Sequence, residues 1–270
     1  MNPTSEFQGK NIFVAGGSSG INLGIAKAFA AAGANVAIAS RSQERVDGAV
    51  AELKAISAKL GTQVHGYSAD VRNAESIAAA LAQAHGAMGD FDVLVSGAAG
   101  NFVAPALGMS ANGFRTVVDI DLNGSFNVMR NAHQYMVRPG GSLISISAPQ
   151  AMNPTMLQAH VCAAKAGVDM LIRVLAMEWG PDGLRVNSII PGPIDGTEGI
   201  RRLAPTPEAR AMMISSVPLG RMGTLDDVAD LALFLGSSKS KYVTGAIIPV
   251  DGGSSLGGGR NLGLALPANA

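Results

Sequence analysis

The sequence predicts one α/β domain with a doubly wound parallel sheet of about seven strands and helices on both faces. Short apolar runs without alternation recur along the chain, as in strands buried on both faces. Segments of helical periodicity separate them, and such a strand and helix alternation produces a parallel sheet with right-handed crossovers. No linker rich in Pro, Ser or charge divides the 270 residues, so we expect residues 1–270 to form a single domain.

The elements follow one another in regular order. The strands are predicted at 11–15, 35–39, 64–67, 93–96, 142–147, 185–190 and 246–250. Helical patterns lie at about 20–33, 42–60, 73–87, 112–137, 157–180 and 224–235. Two segments break this order: residues 191–218, which contain five prolines, and the glycine-rich tail at 252–270. An insertion of that length before a helix is typical of a functional lid, so we expect residues 191–218 to cover a substrate.

Composition excludes several classes of protein. Lys plus Arg number 20 and Asp plus Glu number 20, so the chain lacks the basic surplus of a nucleic-acid binder. Charged residues make up 15% of the chain and apolar residues 47%, which allows a large core and apolar contacts between subunits. The single Cys162 excludes an internal disulfide framework and a cysteine-rich metal site, and no metal is expected.

No segment is typical of membrane insertion or export. The long uncharged stretch at 93–114 is interrupted by Gly, Asn and Pro, which a spanning helix of about 20 apolar residues does not favour. Residues 1–10 lack the basic start and apolar run of a secretory signal. The last five residues do not match a peroxisomal address. We therefore expect a cytoplasmic protein.

A glycine-rich segment follows the first predicted strand directly and opens the first helix. Its candidate ligand-binding residues are Gly16, Ser18, Ser19, Gly20 and Ile21. Glycines let the backbone approach a pyrophosphate closely, and a helix N-terminus supplies free N–H groups and a positive dipole end. This placement indicates a dinucleotide site.

The end of the second strand indicates which dinucleotide is bound. An acidic residue there would bind a ribose 2′-hydroxyl, but the sequence has Arg41 and Ser42. A guanidinium and a hydroxyl favour a 2′-phosphate, so NADPH is the predicted cofactor. After the third strand, Asp70 and Val71 stand where an adenine could be held, although Asp70 is equally suited to cap a helix.

The chain from about residue 10 to 253 resembles the short-chain dehydrogenase/reductase family, which has a Rossmann fold. The matching motifs are Gly16-xxx-Gly20-Ile21, Asp70-Val71, Ala98-Ala99-Gly100, Ala163-Ala164-Lys165-Ala166-Gly167, Arg185-Val186-Asn187-Ser188, Pro191-Gly192-Pro193 and Asp251-Gly252-Gly253. The resemblance implies a nicotinamide cofactor. It also implies cofactor contacts from Ala98, Ala99, Gly100, Lys165, Pro191, Gly192, Ile194 and Thr197.

The usual catalytic residues of that family are mostly replaced. The family has a Tyr four residues before the Lys, a Ser thirteen residues before that Tyr, and an Asn on a preceding helix. Here these positions hold Val161, Ala148 and Asp121, and only Lys165 remains. A valine cannot donate a proton, and loss of a positioned general acid costs about 10²- to 10⁴-fold in rate. Interconversion of ketone and alcohol by the usual route is therefore not expected.

One branch of the family has the same replacements. The segments at 98–102, 158–160, 164–166 and 191–199 resemble the peroxisomal-type 2,4-dienoyl-CoA reductases, which lack the tyrosine and have an Asp at position 121. The resemblance implies NADPH-dependent reduction of a 2,4-dienoyl-CoA to a 3-enoyl-CoA. Hydride adds at the far end of the diene, negative charge spreads to the thioester oxygen, and a proton reaches the carbon next to the carbonyl.

Three residues are the predicted catalytic group. We expect Asp121 and Asp251 to position the water that protonates the intermediate, and Lys165 to hold the nicotinamide ribose and supply positive potential. Asp251 precedes two glycines and could equally cap a turn. Candidate substrate residues are Asn101, Phe102, Arg115, His160, Arg201 and Arg202. The arginines suit the phosphates of coenzyme A, whereas His160 is either a proton relay or a structural residue.

Two other functions are consistent with the sequence. One is reduction of a 3-oxoacyl or other carbonyl substrate with an atypical acid, and the other is a catalytically silent NADPH-binding sensor or scaffold subunit. The triple replacement at 121, 148 and 161 favours carbon–carbon reduction. In this family the helices corresponding to 112–137 and 157–180 pair across a twofold axis, which implies a homotetramer.

Overall fold

The computed structural model describes residues 6–257, and within them a single parallel sheet forms the centre of the molecule. Its strands are β1 (Asn11–Ala15), β2 (Asn35–Ser40), β3 (Val64–Ser68), β4 (Val93–Ser96), β5 (Ser142–Ile146), β6 (Arg185–Pro191) and β7 (Ile247–Val250). The strand order is β3-β2-β1-β4-β5-β6-β7. The prediction of a seven-stranded doubly wound sheet is confirmed.

Nine α-helices connect and flank these strands in the described part of the chain. They are α1 (Gly20–Ala31), α2 (Gln43–Ser57), α3 (Ala74–Met88), α4 (Ala111–Val118), α5 (Gly124–Ala132), α6 (Ala159–Trp179), α7 (Glu198–Leu203), α8 (Pro207–Ser215) and α9 (Leu225–Gly236). None of the helices within 6–257 is long and apolar enough to cross a membrane.

Alternate residues of each strand face opposite layers of the core. Ile12 and Val14 of β1 pack with helices α1, α2 and α9, whereas Phe13 and Ala15 pack with α3, α5 and α6. β1 is therefore apolar on both sides, as expected for a strand covered by helices on both faces of the sheet.

The predicted helix at 112–137 is wrong as one continuous helix. It ends as α4 at Val118, continues through a π-helical segment at Asp119–Asn123, and resumes as α5. A π turn inserts one extra residue per turn and changes the direction of the side chains that follow, so it is frequent at functional sites.

The predicted lid at 191–218 contains the two short helices α7 and α8. Thr197 and Thr206 cap their N-termini, each accepting a hydrogen bond from the backbone three residues later. The glycine-rich tail predicted at 252–270 is described only as far as residue 257, where a short 3₁₀ turn at Ser254–Leu256 follows β7. Its remaining residues lie outside the described part of the chain.

Candidate active site

A cavity of about 510 Å³ lies at the carboxyl ends of the central strands. Ile146 and Ser147 border it at the end of β5, Pro191 and Gly192 at the end of β6, and Asn101 from the loop after β4. The segment at 191–218 borders the same cavity through Ile200, Leu203, Met213 and other residues. Ligands of doubly wound sheets bind at this edge, so this cavity is the candidate active site.

Asp121 and Lys165 form a buried ion pair in the wall of this cavity. Asp121 Oδ2 lies 3.3 Å from Lys165 Nζ, and the two side chains are 1% and 5% exposed. Nζ also donates a hydrogen bond to the carbonyl of Ile146 at 3.1 Å. Because breaking a buried pair leaves one charge uncompensated, each partner holds the other in the cavity wall.

The π-helical segment at 119–123 places Asp121 in this position. The backbone N–H of Gly100 donates to Asp121 Oδ1 at 2.7 Å, and the Ser125 hydroxyl donates to the Asp121 carbonyl at 2.6 Å. A Cβ at position 100 would lie 2.9 Å from the Ile120 side chain. Glycine at 100 therefore allows the close approach that fixes the carboxylate.

Val161 and Ala148 also line the cavity, at the positions where family members carry the tyrosine and the serine. Val161 is 3% exposed and packs with Val117 and Ala164. The position of the usual proton donor is thus filled by hydrocarbon. Among the described lining residues, Asp121 and Lys165 are the only charged ones.

A second cavity of about 240 Å³ adjoins the first and shares Asn22, Gly97 and Ala99 with it. The predicted cofactor residues Gly16, Ser18, Ser19, Arg41, Asp70, Val71, Ala98 and Ala99 line this second cavity. Gly20, Ile21, Gly100, Lys165, Pro191, Gly192, Ile194 and Thr197 line the first. The two cavities follow one another over the N-terminus of α1.

The residues present fit a dinucleotide. Ser19 makes no side-chain cap, so it leaves the first N–H groups of α1 to a ligand. A Cβ at position 16 would lie 2.8 Å from the Ala98 nitrogen, so only glycine fits at this position in the wall of the second cavity. The first cavity suits the nicotinamide and its ribose, and the second suits the adenosine end.

The second cavity carries one more positive charge than the sequence analysis predicted. Arg45 lines it together with Arg41. Both side chains are exposed. Arg41 precedes α2 and Arg45 lies in its first turn. Ser42, by contrast, does not line either cavity; its hydroxyl caps α2 by accepting from the Arg45 N–H at 3.4 Å.

Asp70 borders the second cavity and is held by Arg72. The Arg72 guanidinium donates to both Asp70 oxygens at 2.6 to 3.1 Å. These hydrogen bonds lower the pKa of Asp70. The carboxylate is therefore fixed as an acceptor at the cavity edge.

The comparisons with known proteins agree with this geometry. A family model described as "Enoyl-(Acyl carrier protein) reductase" matches residues 15–255. The "Peroxisomal 2,4-dienoyl-CoA reductase [(3E)-enoyl-CoA-producing]" of Rattus norvegicus is 43% identical over 248 residues, covering 92% of this chain and 84% of the relative. The chain belongs to the short-chain dehydrogenase/reductase family. It is accordingly an oxidoreductase with the Rossmann fold of that family.

Two further relatives of the family extend this comparison. The "Probable 2,4-dienoyl-CoA reductase [(2E)-enoyl-CoA-producing]" of Bacillus subtilis is 36% identical, with 92% of this chain and 97% of the relative covered. The solved "short-chain type dehydrogenase/reductase from Mycobacterium ulcerans" is 34% identical, with a TM-score of 0.88 and coverage of 97% and 95%.

Asp251 is not brought into the cavity of Asp121. It lines a separate cavity of about 240 Å³, and its carboxylate accepts from the N–H groups of Gly253 at 2.9 Å and Ser255 at 2.8 Å. Burial raises the pKa of Asp251, but the hydrogen bonds from Ser255, Gly253 and Ser254 outweigh it and the pKa is lowered. The carboxylate of Asp251 therefore caps a turn. Ser254, three residues later, lines the active-site cavity.

The candidate substrate residues are divided by the structure. Asn101 lines the cavity and accepts a hydrogen bond from Gln158 Nε2 at 3.2 Å. Phe102 and His160 pack against each other behind it, with ring centroids 4.3 Å apart. Arg201 and Arg202 are exposed on α7 and both pair with Glu198, and Arg115 is exposed on α4. These three arginines lie outside the cavity wall.

Proposed function

We propose that the protein reduces a conjugated 2,4-dienoyl-CoA to a 3-enoyl-CoA with NADPH. One observation carries the proposal: the Asp121–Lys165 pair lies in a cavity whose tyrosine and serine positions hold Val161 and Ala148. Ketone reduction needs a proton at the oxygen that hydride addition makes basic. Reduction of a dienoyl thioester spreads that charge over several atoms, and its proton is delivered to carbon, so an acid on the oxygen is dispensable.

The ion pair supplies what this reaction needs. When bound, the dinucleotide supplies the hydride. Lys165 holds the ribose hydroxyls and contributes positive potential where the thioester oxygen becomes negative. Asp121 is held by Gly100 and Lys165, and it orients a water for protonation of the carbon next to the carbonyl. We assign Asp251 to the turn that shapes the cavity rather than to this proton transfer.

The cofactor preference rests on Arg41 and Arg45. Both border the adenosine end, and guanidinium groups bind phosphate through paired, charge-assisted hydrogen bonds. No acidic residue occupies the end of β2, where one would favour NADH. This combination supports NADPH.

The substrate's coenzyme A is expected at the rim of the cavity. Arg201 and Arg202 are exposed cations on α7, whose Ile200 and Leu203 line the cavity, and Arg115 is an exposed cation on α4. The apolar side chains of the segment 191–218 then enclose the acyl chain and exclude water. Phe102 is proposed to border the acyl chain from the loop after β4.

Assembly and location are separate proposals. Phe126 of α5 and Met170, Val174 and Met177 of α6 are exposed apolar side chains, which suits the homotetramer predicted from the family. Relatives include peroxisomal and bacterial proteins, and the cytoplasmic location stays a prediction. Light scattering during size-exclusion chromatography gives the mass of the assembly.

The decisive experiment compares substrates of equal chain length. NADPH oxidation is followed with a 2,4-dienoyl-CoA and with a 3-oxoacyl-CoA, and the enoyl product is identified by NMR. We expect faster turnover of the dienoyl-CoA and a 3-enoyl product, as in the name of the rat relative rather than the bacterial one. Faster turnover of the ketone contradicts the proposal, and NADPH binding without turnover of any thioester indicates the sensor.

A pair of variants tests the role of the carboxylate. Asp121→Asn is expected to lower kcat by about 10²- to 10⁴-fold, the range for loss of a positioned proton-transfer group. Asp119→Asn is the matched control, because Asp119 lies on the same π-helical segment and contacts Asn123 instead of Lys165. An Asp121→Asn enzyme with unchanged kcat rules out this role for Asp121.

A further inference from the structure

A chain of three side-chain amides connects two loops that border the active-site cavity. Gln158 stands directly before α6 and is 3% exposed. Gln158 Nε2 donates to Asn101 Oδ1 at 3.2 Å, and Gln158 Oε1 accepts from Gln150 Nε2 at 2.7 Å. Asn101 follows β4, Gln150 follows β5, and both residues line the cavity. The buried amide of Gln158 therefore joins two polar groups of one cavity wall.

The start of α6 is built around this contact. Gln158 occupies the N-cap position, but its side chain makes no cap hydrogen bond to the helix. Leu157, directly before it, has a φ of 64° and is the one residue other than glycine with a positive φ within residues 6–257. A left-handed leucine is strained, and such strain persists only where the surrounding contacts impose it. The loop after β4 supplies one of these contacts, because the Ala104 N–H donates to the Leu157 carbonyl at 3.0 Å.

The two ends of the amide chain differ in what they offer a ligand. An amide has an oxygen that accepts and a nitrogen that donates. Asn101 bonds to Gln158 through its oxygen, so its N–H groups remain for the cavity side. Gln150 bonds through its nitrogen, so its oxygen remains. Neither Asn101 Nδ2 nor Gln150 Oε1 has a hydrogen-bond partner within residues 6–257.

We propose that Gln158 is a positioning residue that makes Asn101 a donor and Gln150 an acceptor toward the substrate. The thioester oxygen becomes negative on hydride addition, so it suits the Asn101 N–H groups. The arm of coenzyme A carries an amide N–H two carbons from the thioester sulfur, and this donor suits the Gln150 oxygen. A thioester with an amide at that distance is the substrate class that the two ends recognise together. This inference rests on the proposed function.

Gln158→Glu tests the positioning role, because the direction of a carboxyl group changes with its protonation. An ionised carboxylate only accepts, so Asn101 must turn its N–H groups toward it and away from the cavity. A protonated carboxyl group donates to Asn101 and accepts from Gln150, as glutamine does, and burial raises its pKa. As the pH rises through that pKa, kcat/KM for a 2,4-dienoyl-CoA should fall by up to about 10²-fold, as for loss of one oxyanion donor.

The other titratable groups near Gln158 are the same in the wild type and the variant. The loops at 97–110 and 147–157 contain none. The groups on the neighbouring helical segments are His160, Cys162 and Lys165 of α6, Arg115 of α4, and Asp119 and Asp121 of the π-helical segment. The new limb of the profile is therefore read as the difference between Gln158→Glu and the wild type.

Two further variants separate positioning from a structural role. Gln158→Met keeps the length of the side chain without its hydrogen bonds, so it should lower kcat/KM at every pH and add no limb. Gln134→Glu is the matched control, since Gln134 is exposed and bonds to the Asn131 carbonyl instead. It should leave the profile unchanged. A Gln158→Glu profile parallel to that of the wild type, or an unchanged kcat/KM in Gln158→Met, overturns the proposal.

A pair of small substrates tests the two ends in the unchanged protein. The 2,4-hexadienoyl thioesters of N-acetylcysteamine and of 2-acetoxyethanethiol differ only in the N–H, which oxygen replaces in the second. The wild type should prefer the amide by about 2- to 10-fold in kcat/KM, the effect of one neutral hydrogen bond. Gln150→Met should lower this ratio to about one. Equal kcat/KM for the two thioesters in the wild type overturns the proposal.

A binding measurement separates this inference from the proposed function. Calorimetry with the saturated hexanoyl thioesters of the same two thiols measures the preference for the amide without turnover. If the wild type reduces no dienoyl thioester but binds the amide form more tightly, and Gln150→Met does not, the proposed function fails and the inference stands. Reduction of the dienoyl-CoA without any preference for the amide overturns the inference alone.

Discussion

The Asn22 side chain occupies the space directly beside the α-carbon of Gly97. Its Nδ2 donates to the Gly97 carbonyl at 2.7 Å, and a Cβ built on Gly97 would lie 2.6 Å from the Asn22 Cγ. The larger side chain therefore lies on α1, and the glycine lies directly after β4.

We predict that these two positions depend on each other. Gly97→Ala alone forces Asn22 out of place and should lower the free energy of unfolding by about 1–3 kcal/mol, the usual cost of overpacking. It should also weaken NADPH binding, because Asn22 and Gly97 border both parts of the cofactor site. Adding Asn22→Gly should restore most of the loss. Urea unfolding and NADPH fluorescence titration measure both effects.

The control for this pair is Gly48→Ala. Gly48 lies inside α2, and a Cβ there meets no atom within 4 Å. Gly48→Ala should raise the free energy of unfolding by about 0.5–1 kcal/mol, the difference between alanine and glycine in a helix. Equal losses for Gly97→Ala and the double variant would show that Asn22 is not the obstacle.

The second prediction concerns cofactor choice. Arg41→Ala and Arg45→Ala should each raise the KM for NADPH by about 10- to 100-fold, since a hydrogen bond to a charged group contributes about 1.5–3 kcal/mol. The KM for NADH should stay within about twofold, because NADH has no 2′-phosphate. Steady-state kinetics with both cofactors measure the ratio. Arg130→Ala, an exposed arginine on α5, should change neither value, and an effect on NADH equal to that on NADPH contradicts the assignment.

The positions of the strands follow from the sequence because most of the strands are mainly apolar and lie between two helical layers. Every predicted strand boundary lies within one residue of the observed one. The break at 119–123 could not be read from the pattern, since its residues suit an α-helix as well as a π turn. The π turn is stabilised by tertiary contacts, because it places Asp121 against Gly100 and Lys165.

The candidate site, like the fold, was predicted from the sequence only in part. Asp121 and Lys165 were expected from their places in the motifs, and the structure brings them together. Asp251 was expected beside them because the resemblance places it at the carboxyl end of the last strand, but the direction of a carboxylate depends on the turn that follows. Two left-handed glycines, Gly252 and Gly253, bend the backbone so that its N–H groups reach that carboxylate. The contact between Asn22 and Gly97 joins two segments that are distant in the sequence, and neither segment alone predicts it.

The third prediction separates the two roles of Asp251. As a turn cap, Asp251→Asn loses one of the two side-chain oxygens that accept from the backbone N–H groups of Gly253 and Ser255, so it should lower the free energy of unfolding by about 1 kcal/mol. It should raise the KM for the dienoyl-CoA through displacement of Ser254 and leave the pH profile of kcat unchanged. Ser254→Ala is the companion variant, since it tests the cavity wall without the turn. A kcat loss comparable to that of Asp121→Asn, with an altered pH profile, would make Asp251 part of the proton transfer.

The last prediction concerns His160 and acid stability. His160 is fully buried against Phe102, and neither ring nitrogen has a hydrogen-bond partner within residues 6–257. Burial lowers the pKa of His160, although Asp121 and the backbone of Gln158 and Phe102 act to raise it. Below the unfolded value of about 6.5 the unfolded chain therefore binds more protons than the folded one. Stability from this group is complete above about pH 6.5 and is lost as the pH falls toward the folded-state pKa.

Removing the histidine should remove that part of the acid sensitivity. We expect the free energy of unfolding of the wild type to fall below pH 6.5 by up to about 1.4 kcal/mol per pH unit from this residue. At pH 7.5 the free energy of unfolding of His160→Gln should be equal to or lower than that of the wild type. Between about pH 6.5 and 5.5 its free energy of unfolding should change less steeply with pH. His85→Gln is the control, because His85 is half-buried and pairs with Asp90, so its replacement should leave the slope due to His160 intact. Urea unfolding at several pH values gives the slopes. Parallel slopes for the wild type and His160→Gln would show that His160 is protonated equally in both states, and that the buried ring takes no part in the acid response.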